Sequence, residues 1–223
     1  MARTTIRSED ITSGAIDVPV SGIVGVSTFT ASGTWTKATR EAALGVTIKQ
    51  VIVEVQGAGG SGTVGDAYDH RNSGGAGGYA KKLLDVSSIS SATITVGSGG
   101  AGSGSTNATG AAGGDSIWSD GTNTITGSGG GAGSGSNYLP GLGGAATGGD
   151  LNVTGQTGGD GGLAKGGDSF LGKGGISQYA SSRASELDGK LGGGGSATIN
   201  TYPAAAHGGN GGDGIVIVTE IAG

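Results

Sequence analysis

The stretch GSGGGAGSG, residues 127–135, decides how this chain is read. It holds six glycines, two serines and one alanine, so no side chain in it can fill a core or do chemistry. Glycine is costly to order, because it gives up more backbone freedom than any other residue. In return it has no Cβ, and neighbouring backbones can approach it from every side. An extended left-handed helix of the polyproline II type has three residues per turn, rises about 3.1 Å per residue and makes no internal hydrogen bonds. Packed side by side, such helices made of glycine can satisfy one another's N–H and C=O groups laterally. The stretch is therefore expected to be a buried or half-buried rod, roughly 25 Å long for eight residues, and not a linker.

The same composition recurs outward from it. Glycine supplies 55 of 223 residues, far above the usual ~7%, and nearly all of it lies between residues 57 and 214. Glycine-dominated segments of similar length stand at 97–104, 127–135, 141–149, 155–162, 189–195 and 208–214. The phrase GGD returns at 113–115, 148–150, 158–160, 166–168 and 211–213. Such even spacing marks an array of rods and not a disordered Gly/Ser linker. The net charge of −5 is also too small for charge-driven disorder. Three prolines, with glycine in pairs and runs, exclude collagen. A rod at the edge of a bundle can carry a larger residue at its outward positions, and Leu142, Thr147, Leu163 and Lys165 are read as such outer rows.

The rods are flanked by ordinary β sequence. In TFTASGTWT (28–36), Phe29, Ala31, Gly33 and Trp35 alternate with polar residues, the period of a half-buried strand. In VTIKQVIVEV (46–55) the apolar face switches near Lys49–Gln50, which predicts a bulge or a change of partner. YAKKLLDV (79–86) and ATITV (92–96) are further strands, joined by a turn at 87–90. DSIWSDGTNTIT (115–126) reads as a hairpin turned at Asp120–Gly121, with Trp118 for packing. The unbroken Ile-Val run of GIVIVTEI (214–221) fits a strand buried on both faces, or one in the middle of a sheet. Strands at both ends of the glycine region predict that the ends pair and hold the rods as one long excursion. Two regions follow: an attachment segment at 1–27, where Ser8–Ile11 can cap a helical turn, and a glycine-rich domain at 28–223.

The order of these phrases carries a resemblance. FTASGTWTK, IKQVIVEVQGAGGSG, GGAGGYAKKLLDV, ATITVGSGGAG, the GG segments and a terminal GGDGIVIVTE closely resemble the glycine-rich domain of bacteriophage tail fibres and adhesins. The opening MARTTIRSEDIT resembles the start of fibre-type virion proteins. The resemblance implies an all-β, sandwich-like framework carrying a polyglycine II-type bundle with connecting loops. It also implies a virion protein, usually a homotrimer, that binds a bacterial surface receptor, either a glycan or an outer-membrane protein. Residues 1–27 would then contact other virion proteins. Little sequence precedes the glycine region where a long fibre has a shaft, so a short fibre, a tip adhesin and a structural head or tail decoration protein all stay open.

If the rods are scaffold, recognition belongs to the loops between them. Four loops break the glycine pattern, at 63–73, 136–141, 177–190 and 198–209, and each contains one tyrosine. Tyrosine offers a flat apolar face and a hydroxyl, suited to sugar rings and protein surfaces. The candidate receptor-binding residues are Tyr68, Asp69, His70, Arg71, Asn137, Tyr138, Tyr179, Arg183, Tyr202 and His207, with Glu186 beside them.

No catalysis and no cofactor are expected. There is no P-loop, no βαβ setting for the many GxGxxG matches, and no locally paired carboxylates. Cysteine is absent, which removes disulfides and thiolate metal sites. GGNGGDGIV (208–216) matches a calcium-binding nonapeptide with Asp213 as ligand, but as one copy in a glycine-rich background it is read as chance, and no metal is expected. The mildly acidic balance argues against nucleic acid. No apolar stretch long enough to span a membrane occurs.

Overall fold

The Ile-Val run at the end of the chain becomes an interior strand of a sheet, second in its order, and its two neighbours come from earlier in the chain. A computed structural model describes residues 21–65, 72–105, 107–136, 139–161, 164–176, 184–199 and 207–223. Its strands, in chain order, are β1 (Gly22–Phe29), β2 (Gly33–Thr36), β3 (Ile48–Gln56), β4 (Val64–Gly65), β5 (Tyr79–Asp85) and β6 (Ser91–Thr95). They continue with β7 (Ser116–Ser119), β8 (Thr124–Gly127), β9 (Ala146–Thr147), β10 (Leu151–Val153), β11 (Thr198–Ile199) and β12 (Ile215–Ala222). Two short helices, α1 (Lys37–Leu44) and α2 (Ala184–Leu187), complete the elements. The protein is all-β in class.

Two antiparallel five-stranded sheets share one core, the first in the order β1-β12-β3-β5-β10 and the second β2-β6-β7-β8-β9. Val51, Val53, Val55, Val216 and Val218 face inward from the first sheet; Trp35, Ala92, Ile94, Trp118 and Ile125 meet them from the second. Trp35 and Trp118 lie 5.5 Å apart, tilted at 47°, so Trp118 is a packing residue, as its sequence setting predicts. Each fully buried aliphatic side chain contributes about 1.5–3 kcal/mol. The expected bulge lies at Lys49: Gln50 pairs with Ile221, and Ile48 with Ala222. The hairpin turns through residues 120–123, with Gly121 at φ 89°.

Two expectations need correction. Residues 28–36 are not one strand, because the chain breaks at 30–32 and passes from β1 in the first sheet to β2 in the second. The break lets Phe29 and Trp35 pack on the same core from two layers. Helix α1 was not expected at all. Its sequence KATREAAL is rich in strong helix formers, and Gly45 ends it at φ 69° with its N–H donating to the Glu41 carbonyl.

Between the sheets' ends, the glycine segments bond sideways with a period of three. From Gly57 to Thr63, every third N–H donates to the same neighbour. Gly57, Gly60 and Thr63 donate to the carbonyls of Gly78, Gly75 and Asn72; Ala58 and Ser61 to those of Gly114 and Ala111; Gly59 and Gly62 to those of Gly212 and Gly209. The carbonyls of the same segment accept from three more: Gly130 and Gly133, Gly100 and Ser103, Gly195 and Thr198. The segment is thus enclosed by six others. Residues 73–78 repeat the scheme, donating in turn to segments around 156–159, 192–195 and 128–131. Thr63, Asn72 and Ser73, placed in a loop by their sequence, are buried members of these segments. Thr147, read as part of a rod, lies instead in β9; it is exposed, as are Leu142 and Lys165, and Leu163 lies outside the described residues.

Candidate functional site

The period-three segments have two ends, and the sheets occupy one of them. Gln56, Tyr79, Gly127 and Ile215 are where β3, β5, β8 and β12 meet the segments. Thr63 and Asn72, paired at 3.0 Å, mark the other end. Around this distal end gather the residues on either side of each tyrosine-bearing loop. Val64 and Gly65 pair in parallel with Thr198 and Ile199. Asn72 bridges to Asp160 and donates from Nδ2 to the Ser134 carbonyl at 2.6 Å. Ser134 N–H donates to the Leu139 carbonyl at 3.0 Å. Thr198 Oγ1 donates to the His207 carbonyl at 3.0 Å. The fourth loop leaves from the distal half: Ile176 N–H donates to Glu186, and Ser196 N–H to Leu187 at the end of α2.

The composition of these flanking residues explains their position. Ser, Thr and Asn compete with regular structure by bonding to nearby backbone, and here they close the ends of segments that have run out of glycine neighbours. Thr63 Oγ1 donates to the Asn72 carbonyl and accepts from its N–H, both at 3.1 Å. Ser103 Oγ donates to the Ser105 carbonyl at 2.8 Å, and Thr109 Oγ1 accepts from Gly135 N–H at 3.2 Å. Asn107 takes φ 58°, where asparagine is enriched among non-glycine residues.

Of the ten candidate residues, His207 is described; it is exposed, beside Gly104. Tyr68, Asp69, His70, Arg71, Asn137, Tyr138, Tyr179, Arg183 and Tyr202 lie outside the described residues. The fifth tyrosine, Tyr79, is buried in β5 and stacks on Phe170 at 4.1 Å.

The recurring GGD phrase has a structural use that its sequence did not disclose. Four of its five aspartates accept an N–H from a neighbouring segment or strand. Asp115 accepts from Gly129, Asp168 from Gly174 and Asp213 from Gly99, each at 2.8 Å, and Asp150 from Leu83 at 3.1 Å. Asp160 makes the backbone bridge to Asn72. Asn210, three residues before Asp213, accepts from Gly102, three residues after Gly99. Along an edge where no further segment supplies carbonyls, side chains supply the oxygens at the same three-residue interval. A shallow groove of about 410 Å³ runs beside this edge, lined by Thr30, Asp188, Lys190, Asn210 and Asp213 among others. Asp188 Oδ1 is also engaged, by Asn210 N–H at 2.7 Å. The sequence signal was the GGD repeat itself, read too narrowly as a marker of rods.

The family described as Glycine-rich domain matches residues 30–220, which takes in the second sheet, every glycine segment and most of the first sheet. No curated protein matches the chain. The match spans most of the chain, and the chain belongs to the Glycine-rich domain family.

Proposed function

We propose that this protein is a bacteriophage attachment protein, a fibre or adhesin that binds a bacterial surface receptor through loops at the distal end of a polyglycine II-type bundle. One observation carries the reading. The residues that flank all four tyrosine-bearing loops gather in the distal half, while Gly22 and Ala222 pair at the far end of the first sheet. Such polarity suits a molecule fixed at one end and recognising at the other. The period-three lateral bonding supports the bundle assignment, since a polyglycine II helix turns once every three residues. The resemblance of the strand and glycine phrases to tail-fibre domains supplies the biological setting. Attachment to other virion proteins falls to residues 1–27, and the receptor is a surface glycan or an outer-membrane protein.

The test is binding of the purified protein to a panel of bacterial cells. Saturable binding to a susceptible strain, reduced tenfold or more by Tyr138→Ala or Tyr179→Ala with melting unchanged, is the expected result, about 1.4 kcal/mol or more per residue. Absence of binding at every concentration on every strain would overturn it in favour of a structural decoration protein.

A further inference from the structure

The groove beside the edge that carries Asn210 and Asp213 is lined by side chains already fixed by one atom each. Asp188 Oδ1 accepts from Asn210 N–H at 2.7 Å, Asn210 Oδ1 from Gly102 N–H at 2.8 Å and Asp213 Oδ1 from Gly99 N–H at 2.8 Å. Their other atoms are free. Among the described residues, Asp188 Oδ2, Asp213 Oδ2, Asn210 Nδ2 and the ammonium of Lys190, which lines the same groove, have no hydrogen-bond or ion-pair partner. Two oxygens and two nitrogens therefore remain as acceptors and donors, on side chains whose ordering is complete before any ligand arrives. Leu191 adds an apolar wall. It is 45% exposed and sits at φ 45°, a left-handed conformation that a bulky residue seldom adopts. The turn at 190–193, closed by Gly193 N–H on the Lys190 carbonyl, holds it there, and backbone strain of this kind gathers at binding sites.

We propose that this groove binds pyranose units of a glycan. A sugar hydroxyl both donates and accepts hydrogen bonds, so it can use a carboxylate and an amide side by side, and the C–H face of the ring suits Leu191. The volume of about 410 Å³ lies in the range of small-molecule sites, which join an apolar wall to a few convergent polar groups. A metal ion is a poorer occupant, because the Lys190 ammonium lines the same groove and one oxygen of each carboxylate is already bound. A phosphate would face both carboxylates. The groove reaches the first sheet at Thr30, just after β1, and its occupancy does not depend on what the loop tyrosines bind.

The probes are the methyl pyranosides of glucose, galactose and mannose, and N-acetylglucosamine, each titrated into the full-length protein and followed by backbone amide NMR. The expected result is a saturable shift at Gly99, Gly102 and Asn210 with at least one sugar. Its Kd should be about millimolar, the affinity that a ligand of roughly a dozen heavy atoms reaches at ordinary efficiency. Asn210→Asp, Asp188→Asn and Asp213→Asn each keep the oxygen that the backbone donor needs and change only the free atom. Each should weaken binding about tenfold, the loss of one hydrogen bond. The groove is read on soluble sugars and the loop tyrosines on whole cells, so either reading can fail alone. No saturable shift with any of these sugars overturns the proposal in the unsubstituted protein, whatever the variants do. Shifts confined to other amides, or retained at full affinity by all the variants, overturn it as well.

Discussion

Arg40 Nε lies 2.8 Å from Oε1 of Glu220, a carboxylate with no exposure to solvent. Glu220 points inward from the interior strand β12, and Ser27 Oγ at 2.6 Å and Trp35 Nε1 at 3.3 Å also donate to it. One side chain thereby ties α1, β1 and β2 to the middle of the first sheet. Without Arg40, a buried charge would remain with neutral donors only. Arg40→Ala should therefore destabilise the fold by about 3 kcal/mol, and Arg40→Ala with Glu220→Gln by less. Urea unfolding measures both. A loss under about 0.5 kcal/mol for the single variant would place the pair among inconsequential surface ion pairs.

Gly130 sits where a Cβ would collide with the Gly75 carbonyl, a backbone atom with nowhere to move. Gly130→Val should cost about 3 kcal/mol or prevent folding. Gly33→Ala is the contrast: its Cβ would meet only Phe29, at 3.9 Å, and its melting temperature should match the parent's. Equal melting of the Gly130→Val protein and the parent would mean that the segment is not packed.

Acid should loosen the fold through two aspartates. For Asp120, burial pulls the carboxyl upward, but N–H donors from Asn123 and Thr122, the Asn123 amide and the Trp118 indole outweigh it, and the net shift is downward. For Asp168, burial is likewise outweighed, here by the Lys165 ammonium and Gly174 N–H. A folded-state value below the ordinary 3.8 gives stability that is present above that pH and lost as pH falls below it. Asp120→Asn and Asp168→Asn should each be less stable at neutral pH and show a shallower loss of stability below pH ~4. An unchanged acid limb in both variants would assign acid sensitivity elsewhere.

The alkaline limb should belong to Tyr79. Burial pushes its hydroxyl well above the ordinary 10.0, helped by its hydrogen bond to Glu54 and the Glu54 charge. A raised folded-state value gives stability that is present below pH 10 and lost as pH rises beyond it. Tyr79→Phe should lose about 1 kcal/mol at neutral pH with the hydrogen bond, yet vary less above pH 10. Thermal melts from pH 7 to 11 make the comparison, and a parallel decline in both proteins would exclude Tyr79 as the source.

The framework was readable because its strands carry side chains that declare a face. Val51, Val53 and Val55 alternate, and the parity change at Lys49 announced the bulge. A three-residue interval is visible in the fold: within GSGGGAGSG, Gly127, Gly130 and Gly133 are buried while the pairs between them are half-buried. Which segment neighbours which was not readable. Gly57 and Gly60 bond to residues 78 and 75, but nothing in a glycine tract names its partner, because partner choice elsewhere is written in side chains. The oxygens of Asp213 and Asn210 carry some of that information at the edges, and the GGD repeat concealed it by looking like more glycine rod. Helix α1 was missed because eight residues between two strands give little periodicity. Of the candidate site, the sequence supplied four loops, and the positions of their flanking residues required the fold.

The pairing of β1 with β12 has a mechanical consequence. Gly22 meets Ala222 at the end of the sheet away from the glycine segments, and Phe29 meets Val216 beside them. A pull at Gly22, resisted at the distal end, runs along the axis of β1, so its bonds to β12 are loaded together in shear and do not open one at a time like a zip. Load then passes through β12 and β3 to residues 57–63, whose backbone is bonded to six neighbouring segments. Under tension along its length, the molecule meets force with its strongest geometry first.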